Sequence, residues 1–152
     1  MRSPIPSYLN DVLASEASDK TGELANYIPE LAGVNPDRLG ASIAMVDGEL
    51  YGAGDVNEVF TIQSISKPFV YALALADRGF DKVLAKVGVE PSGEPFNEIS
   101  LEDESGRPLN PMINAGAITT HSLVGAENIS PEKRMERVVE GLSAFAGRPL
   151  QI

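Results

Sequence analysis

Three observations predict an α+β fold. One clear β-hairpin signal lies over 41–53, one densely apolar helix follows over 64–78, and three further segments with helical character come after it. A helix, a hairpin, an apolar helix and then more helices is the order of a small sheet combined with a helical layer.

Taken in order, the chain opens with a predicted helix over 7–17, where Leu9, Val12 and Leu13 fall at helical spacing. A less regular stretch over 21–38 holds Tyr27-Ile28-Pro29 and closes with Asn35-Pro36-Asp37. The apolar run 41–46, the turn pair Asp47-Gly48 and the return 49–53 then form the hairpin. In the helix over 64–78, Phe69 to Ala76 are apolar on nearly every face, the pattern of a buried helix, and Gly79 is placed to stop it. A short helix over 81–87 leads to a polar region over 90–111, rich in Pro and Gly, whose acidic cluster Glu102-Asp103-Glu104 reads as solvated loop. A core helix over 112–124, despite Gly116, and a last helix over 130–146 complete the order. The final helix carries Met135, Val138, Val139, Leu142 and Phe145 on one face.

Only two strands are evident, and an isolated hairpin is marginal in water. The chain also ends at Ile152 just after a helix with no closing element. We therefore expect 1–152 to be the N-terminal portion of one domain whose sheet is incomplete in this chain: an N-terminal helix, a first hairpin, the apolar helix and part of a helical subdomain.

Composition excludes several chemistries. The 152 residues are 43% hydrophobic, enough for a real core. A net charge of −10 without any basic run argues against nucleic acid and anionic membrane surfaces as partners. There is no cysteine, so disulfides and thiolate chemistry are excluded, and the single histidine, His121, cannot build a histidine-rich metal site. His121 has no serine-elbow or acidic motif tying it to a triad and reads as structural. No apolar run approaches the roughly 20 residues of a membrane span, and the stretch from Met1 to Tyr8 has no apolar leader core. A cytoplasmic setting is expected, and Asn128-Ile129-Ser130 is then an incidental glycosylation match.

The chemistry-bearing motif is Ser64-Ile65-Ser66-Lys67, an S-x-x-K arrangement. At i and i+3 of a helix the two Cβ atoms lie roughly 5–6 Å apart on one face, so the amine can reach the hydroxyl. A serine is a poor nucleophile until a base takes its proton, and a desolvated lysine can be that base. Pro68 is tolerated only near a helix start, which places Ser64 at the N-terminus, where backbone N–H groups favour an oxyanion. A second copy, Ser130-Pro131-Glu132-Lys133, reads instead as an N-cap followed by proline at the first helical position. By themselves Tyr27 reads as a packing tyrosine and Asn114 as a satisfied core amide.

Phe60-Thr-Ile-Gln63-Ser64-Ile65-Ser66-Lys67-Pro68, Asn110-Pro111-Met112-Ile113-Asn114-Ala115-Gly116-Ala117-Ile118 and Asn26-Tyr27-Ile28-Pro29-Glu30-Leu31 together resemble the serine-dependent glutaminase family. The similarity runs from about Tyr27 to Leu150. The resemblance implies a serine β-lactamase-like fold, an antiparallel sheet with a helical domain, and hydrolysis of L-glutamine to L-glutamate and ammonia without metal or organic cofactor. It further implies Ser64 as nucleophile, Lys67 as base, Tyr27 as an assisting catalytic group, Gln63 and Asn114 as substrate contacts beside Ser64, and a homo-oligomer, dimer or tetramer. In the family further substrate-binding residues and a second oxyanion donor lie beyond the point where this chain stops, which leaves the activity of the 152 residues alone open. Two rivals stand beside it. Another acyl-serine hydrolase would share S-x-x-K but lacks here the S-D-N and K-T-G partners. A non-enzymatic half-domain would act only by association.

Overall fold

The computed structural model describes residues 3–152, and its elements are α1 (Ile5–Glu16), α2 (Pro29–Ala32), β1 (Gly40–Ala44), β2 (Leu50–Gly54), a 3₁₀ turn (Gln63–Ile65), α3 (Ser66–Arg78), α4 (Phe80–Leu84), α5 (Asn114–Ser122) and α6 (Pro131–Ala146). Met1 and Arg2, part of the stretch expected to lack a leader, lie outside the described residues. The described residues fall into two compact units, one ending at Thr61 and one spanning Ile62–Ile152.

In the first unit β1 and β2 pair antiparallel, with Gly40 opposite Gly54 and Ala44 opposite Leu50. Side chains alternate across a strand, so Ala41, Ile43, Tyr51 and Ala53 share the more buried face. Helix α1 packs on the hairpin, mostly on β2: Leu9 is buried, and Leu13 lies so near Gly54 that a Cβ there would come within 2.8 Å of it. Packing against a helix is what a two-stranded hairpin needs to persist in water. The turn is longer than the expected two residues. The Gly48 N–H donates to the Met45 carbonyl and the Met45 N–H to that of Glu49, while Asp47 accepts from the Glu49 N–H. These bonds close 45–49 into the loop and end β1 at Ala44, with Gly48 at φ 90°, where a side chain would be strained.

In the second unit α3 is the central helix. Val70, Leu73 and Ala74 are buried with Val83, Val124 and Val138, and Tyr71, Leu75, Leu123 and Leu142 pack against that cluster. Contrary to the expectation of burial on nearly every face, the remaining residues of α3 are partly or fully accessible, because α4, α5 and α6 cover only part of its circumference. At the α3–α6 crossing Gly141 is buried, and a Cβ there would meet the Leu73 methyls at 2.5 Å. Gly79, at φ 80°, ends α3 as expected. Ser130 caps α6 by accepting the Lys133 N–H, with Pro131 next and Gly147 left-handed at the far end. On that helix Val138 is buried, but Met135 and Phe145 are exposed.

The polar region over 90–111 is largely exposed, Asp103 and Glu104 of its acidic cluster included, but it is held by internal bonds. Its ends are tied back by the Gly88 N–H to the Pro108 carbonyl, the Glu90 N–H to that of Leu109 and a bridge between Leu101 and Pro108. Ser100 and Pro108 are buried within it. The acidic cluster is engaged at Glu102, which accepts from Arg107 Nε at 3.0 Å and from Ser105.

Candidate active site

The nucleophile candidate sits one turn earlier than a plain helix start. Ser64 lies in the 3₁₀ turn Gln63–Ile65, and the α-helix begins at Ser66, not at Ser64 as the sequence predicts. The cause is local. Gln63 adopts φ 44°, a left-handed backbone that a side chain occupies only under constraint, and the Ser66 hydroxyl donates to the Gln63 carbonyl at 2.7 Å. Ser64 is left exposed at the mouth of an open cleft.

Lys67, in the first turn of α3, lines the same cleft. Among the described residues its amine donates to the Met112 carbonyl at 2.9 Å and to Asn114 Oδ1 at 2.8 Å, and it lies 5.3 Å from the centre of the Phe96 ring. The bonds of this amine therefore run to the segment that leads into α5, rather than to the serine hydroxyl the i, i+3 argument foresees. Desolvation by burial draws the Lys67 amine below the usual lysine range.

Those acceptors have their own support. The Asn110 side chain accepts from the Met112 N–H at 3.0 Å and the Ile113 N–H at 3.2 Å, and donates to the Glu90 carbonyl at 2.9 Å. The Asn114 N–H donates to the Phe96 carbonyl. Gly116 presses α5 onto this turn so tightly that a Cβ would lie 1.8 Å from the Asn110 carbonyl oxygen.

Gln63, Ser64, Lys67 and Asn114 thus line one cleft, together with His121 and Arg134. Tyr27 lies in the other unit, on the turn leading into α2, and is 77% exposed. His121, read from sequence as structural, stands on the cleft wall. Desolvation, with the nearby Arg134 charge adding to it, holds its imidazole below the ordinary histidine value. Arg134 is fixed by donation from Nε to the Val124 carbonyl at 3.1 Å. Phe96, Asn110 and the Met112 carbonyl are absent from the sequence-derived site. The one available signal was Asn110-Pro111, a turn-forming pair just ahead of Asn114.

An exposed hydroxyl on a strained turn, beside a partly desolvated amine with two fixed acceptors, is suited to nucleophilic attack with proton transfer.

The chain matches the family model described as Glutaminase over residues 22–152. It is 52% identical over 149 residues to a glutaminase of Corynebacterium efficiens, covering 98% of this chain and 35% of that relative. It is also 52% identical over 145 residues to a glutaminase of Trichormus variabilis, covering 95% and 43%. A crystal structure of the glutamate form of a protein called Mglu superposes with a TM-score of 0.92 at 51% identity, covering 100% of this chain and 35% of that one. The α+β architecture is therefore that of these proteins, and the chain spans well under half the length of the relatives it matches.

Proposed function

The chain belongs to the glutaminase family, and from that premise we propose that it carries the reaction centre of an amidohydrolase that converts L-glutamine and water to L-glutamate and ammonia. The neutral Lys67 amine takes the proton of the Ser64 hydroxyl as Oγ attacks the side-chain amide carbon. The C–N bond of the resulting tetrahedral adduct breaks, and the Lys67 ammonium returns the proton to the departing nitrogen, leaving a glutamyl ester on Ser64 and free ammonia. Water, deprotonated by Lys67, then attacks the ester. The proton passes back to Oγ and glutamate leaves.

Gln63 and Asn114 are assigned to substrate binding, Tyr27 to assistance in binding or proton transfer, and the Ser64 backbone N–H to the oxyanion. The reading needs no metal or organic cofactor and includes a cytoplasmic homo-oligomer. Among the described residues no helix is long and apolar enough to cross a membrane.

The observation that carries the reading is the placement of Lys67 and Ser64 on one cleft, with the amine held by Met112 and Asn114 and drawn below its ordinary pKa by burial. The test is ammonia release from L-glutamine, run beside a chromogenic cephalosporin, with Ser64→Ala as control. Ammonia release lost in Ser64→Ala is expected. Cephalosporin turnover without glutamine turnover, or an electrophilic glutamine mimic attached anywhere but Ser64, overturns it.

A further inference from the structure

Lys67 belongs to α3, but the two acceptors that orient its amine belong to the segment entering α5, so the aim of the amine depends on how rigidly that segment is held. A neutral amine that donates both N–H groups has one tetrahedral direction left, its lone pair, and that is where a serine proton must arrive. Small displacements of either acceptor therefore turn the base away from its task.

We propose that Asn110 is the positioning residue of the Lys67 base, acting through a side-chain clamp that fixes both the Met112 carbonyl and the start of α5. This rests on the reading of Lys67 as the proton acceptor.

The clamp uses every kind of bond an asparagine side chain offers. Oδ1 accepts two successive backbone amides, those of Met112 and Ile113, which closes the chain at 110–113 into a tight turn. Nδ2 donates to the Glu90 carbonyl and so ties that turn to the opposite limb of the 90–111 region. Aspartate lacks the donor, and serine offers one short hydroxyl in place of a separate acceptor and donor. From the other side, the bare Gly116 lets the α5 backbone rest on the Asn110 carbonyl. Met112 and Asn114 are thereby held at both ends of a five-residue span, and each presents one oxygen to Lys67 at 2.9 and 2.8 Å. With the acceptors fixed, water is kept from part of the amine, which agrees with the desolvation that lowers its pKa.

The test compares wild type with Asn110→Ala and Asn110→Ser by two readouts. The first is the titration of Lys67 followed by NMR of the lysine ε-carbon, which requires no turnover. The second is the pH profile of kcat and kcat/KM for glutamine. In Asn110→Ala the Lys67 titration is expected to rise toward the ordinary lysine range, the acid limb of kcat/KM to move up with it, and kcat to fall about tenfold or more. Asn110→Ser, which still accepts a turn amide, is expected to recover much of each change, and it replaces the alanine variant as the comparison should the latter fail to fold. A folded variant whose Lys67 titration and acid limb match wild type overturns the proposal. So does loss of activity with the titration unmoved, which would make Asn110 a fold residue only. Absence of glutamine turnover in wild type overturns the functional reading instead, while the titration comparison still decides the role of Asn110.

Discussion

Lys67 and Asn114, 47 positions apart in the chain, are joined by a 2.8 Å hydrogen bond from Nζ to Oδ1. This contact ties the first turn of α3 to the first residue of α5, and it makes the state of one amine depend on two helices.

On the proposed role of Lys67 as base, the pH dependence of activity is expected to follow that amine. Its folded-state pKa is lowered by desolvation from 10.5, and a base works only when unprotonated. As pH falls through the folded value the amine gains a proton, so kcat/KM is expected to fall on the acid side, with its limb below the ordinary lysine value. Lys67→Arg keeps a positive charge but cannot accept a proton near neutral pH, and should lower kcat by about 100-fold or more. Steady-state rates across pH check both expectations. A Lys67→Arg enzyme with near-normal kcat would mean that another group deprotonates Ser64.

A second prediction concerns stability. Asp77, on α3, accepts from Arg137 at 2.8 Å and from the Gly125 N–H at 2.8 Å, joining α3 to α6 and to the turn before it. Burial works to raise its carboxyl pKa, but the hydrogen bonds from Arg137 and Gly125 and the charges of Arg137 and Arg78 outweigh it and hold the group below 3.8. A depressed carboxyl contributes stability that is present above its unfolded value and lost as pH falls through its folded value. Asp77→Asn is expected to cost about 2 kcal/mol at neutral pH, with the gap to wild type narrowing below pH 3.8. Urea unfolding at several pH values measures it, and a gap independent of pH would contradict the assignment.

Two glycines inside helices should behave differently. On propensity alone, glycine to alanine in a helix interior gains up to about 1 kcal/mol. At Gly141 the new methyl would press on the ends of the Leu73 side chain, which can turn aside. At Gly116 it would meet the Asn110 carbonyl oxygen at 1.8 Å, and backbone cannot turn aside. Gly116→Ala is therefore expected to cost about 3 kcal/mol, and Gly141→Ala less. Denaturant midpoints of the two variants, and the Lys67 titration in any Gly116→Ala that folds, check the ranking.

Local features of this chain were legible because their causes are local. Ser130-Pro131 announces a helix start with its own side chain and ring, and Ser130 does accept the Lys133 N–H. Gly79 ends α3, and Asp47-Gly48 lies inside the hairpin turn, because each glycine can take a positive φ that other residues resist. The S-x-x-K spacing singles out Ser64 and Lys67, which line one cleft, although the amine donates to the Met112 carbonyl and Asn114 and not to the serine its spacing suggests.

What sequence pattern did not reveal is the surroundings of the lysine. Its acceptors are a backbone carbonyl and an amide 45 and 47 positions away, and its aromatic neighbour Phe96 comes from a stretch with the composition of solvated loop. Every residue has a carbonyl, so nothing in the identity of Met112 marks it as an acceptor, and His121 carries no local motif that points to the cleft. The sequence by itself determined which groups are candidates for the chemistry and which segments become helix or strand, since those depend on side-chain type and short-range spacing. Only tertiary structure decided where the amine points and how much water reaches it, because orientation and desolvation are set by segments that meet through folding and share no neighbourhood in the chain.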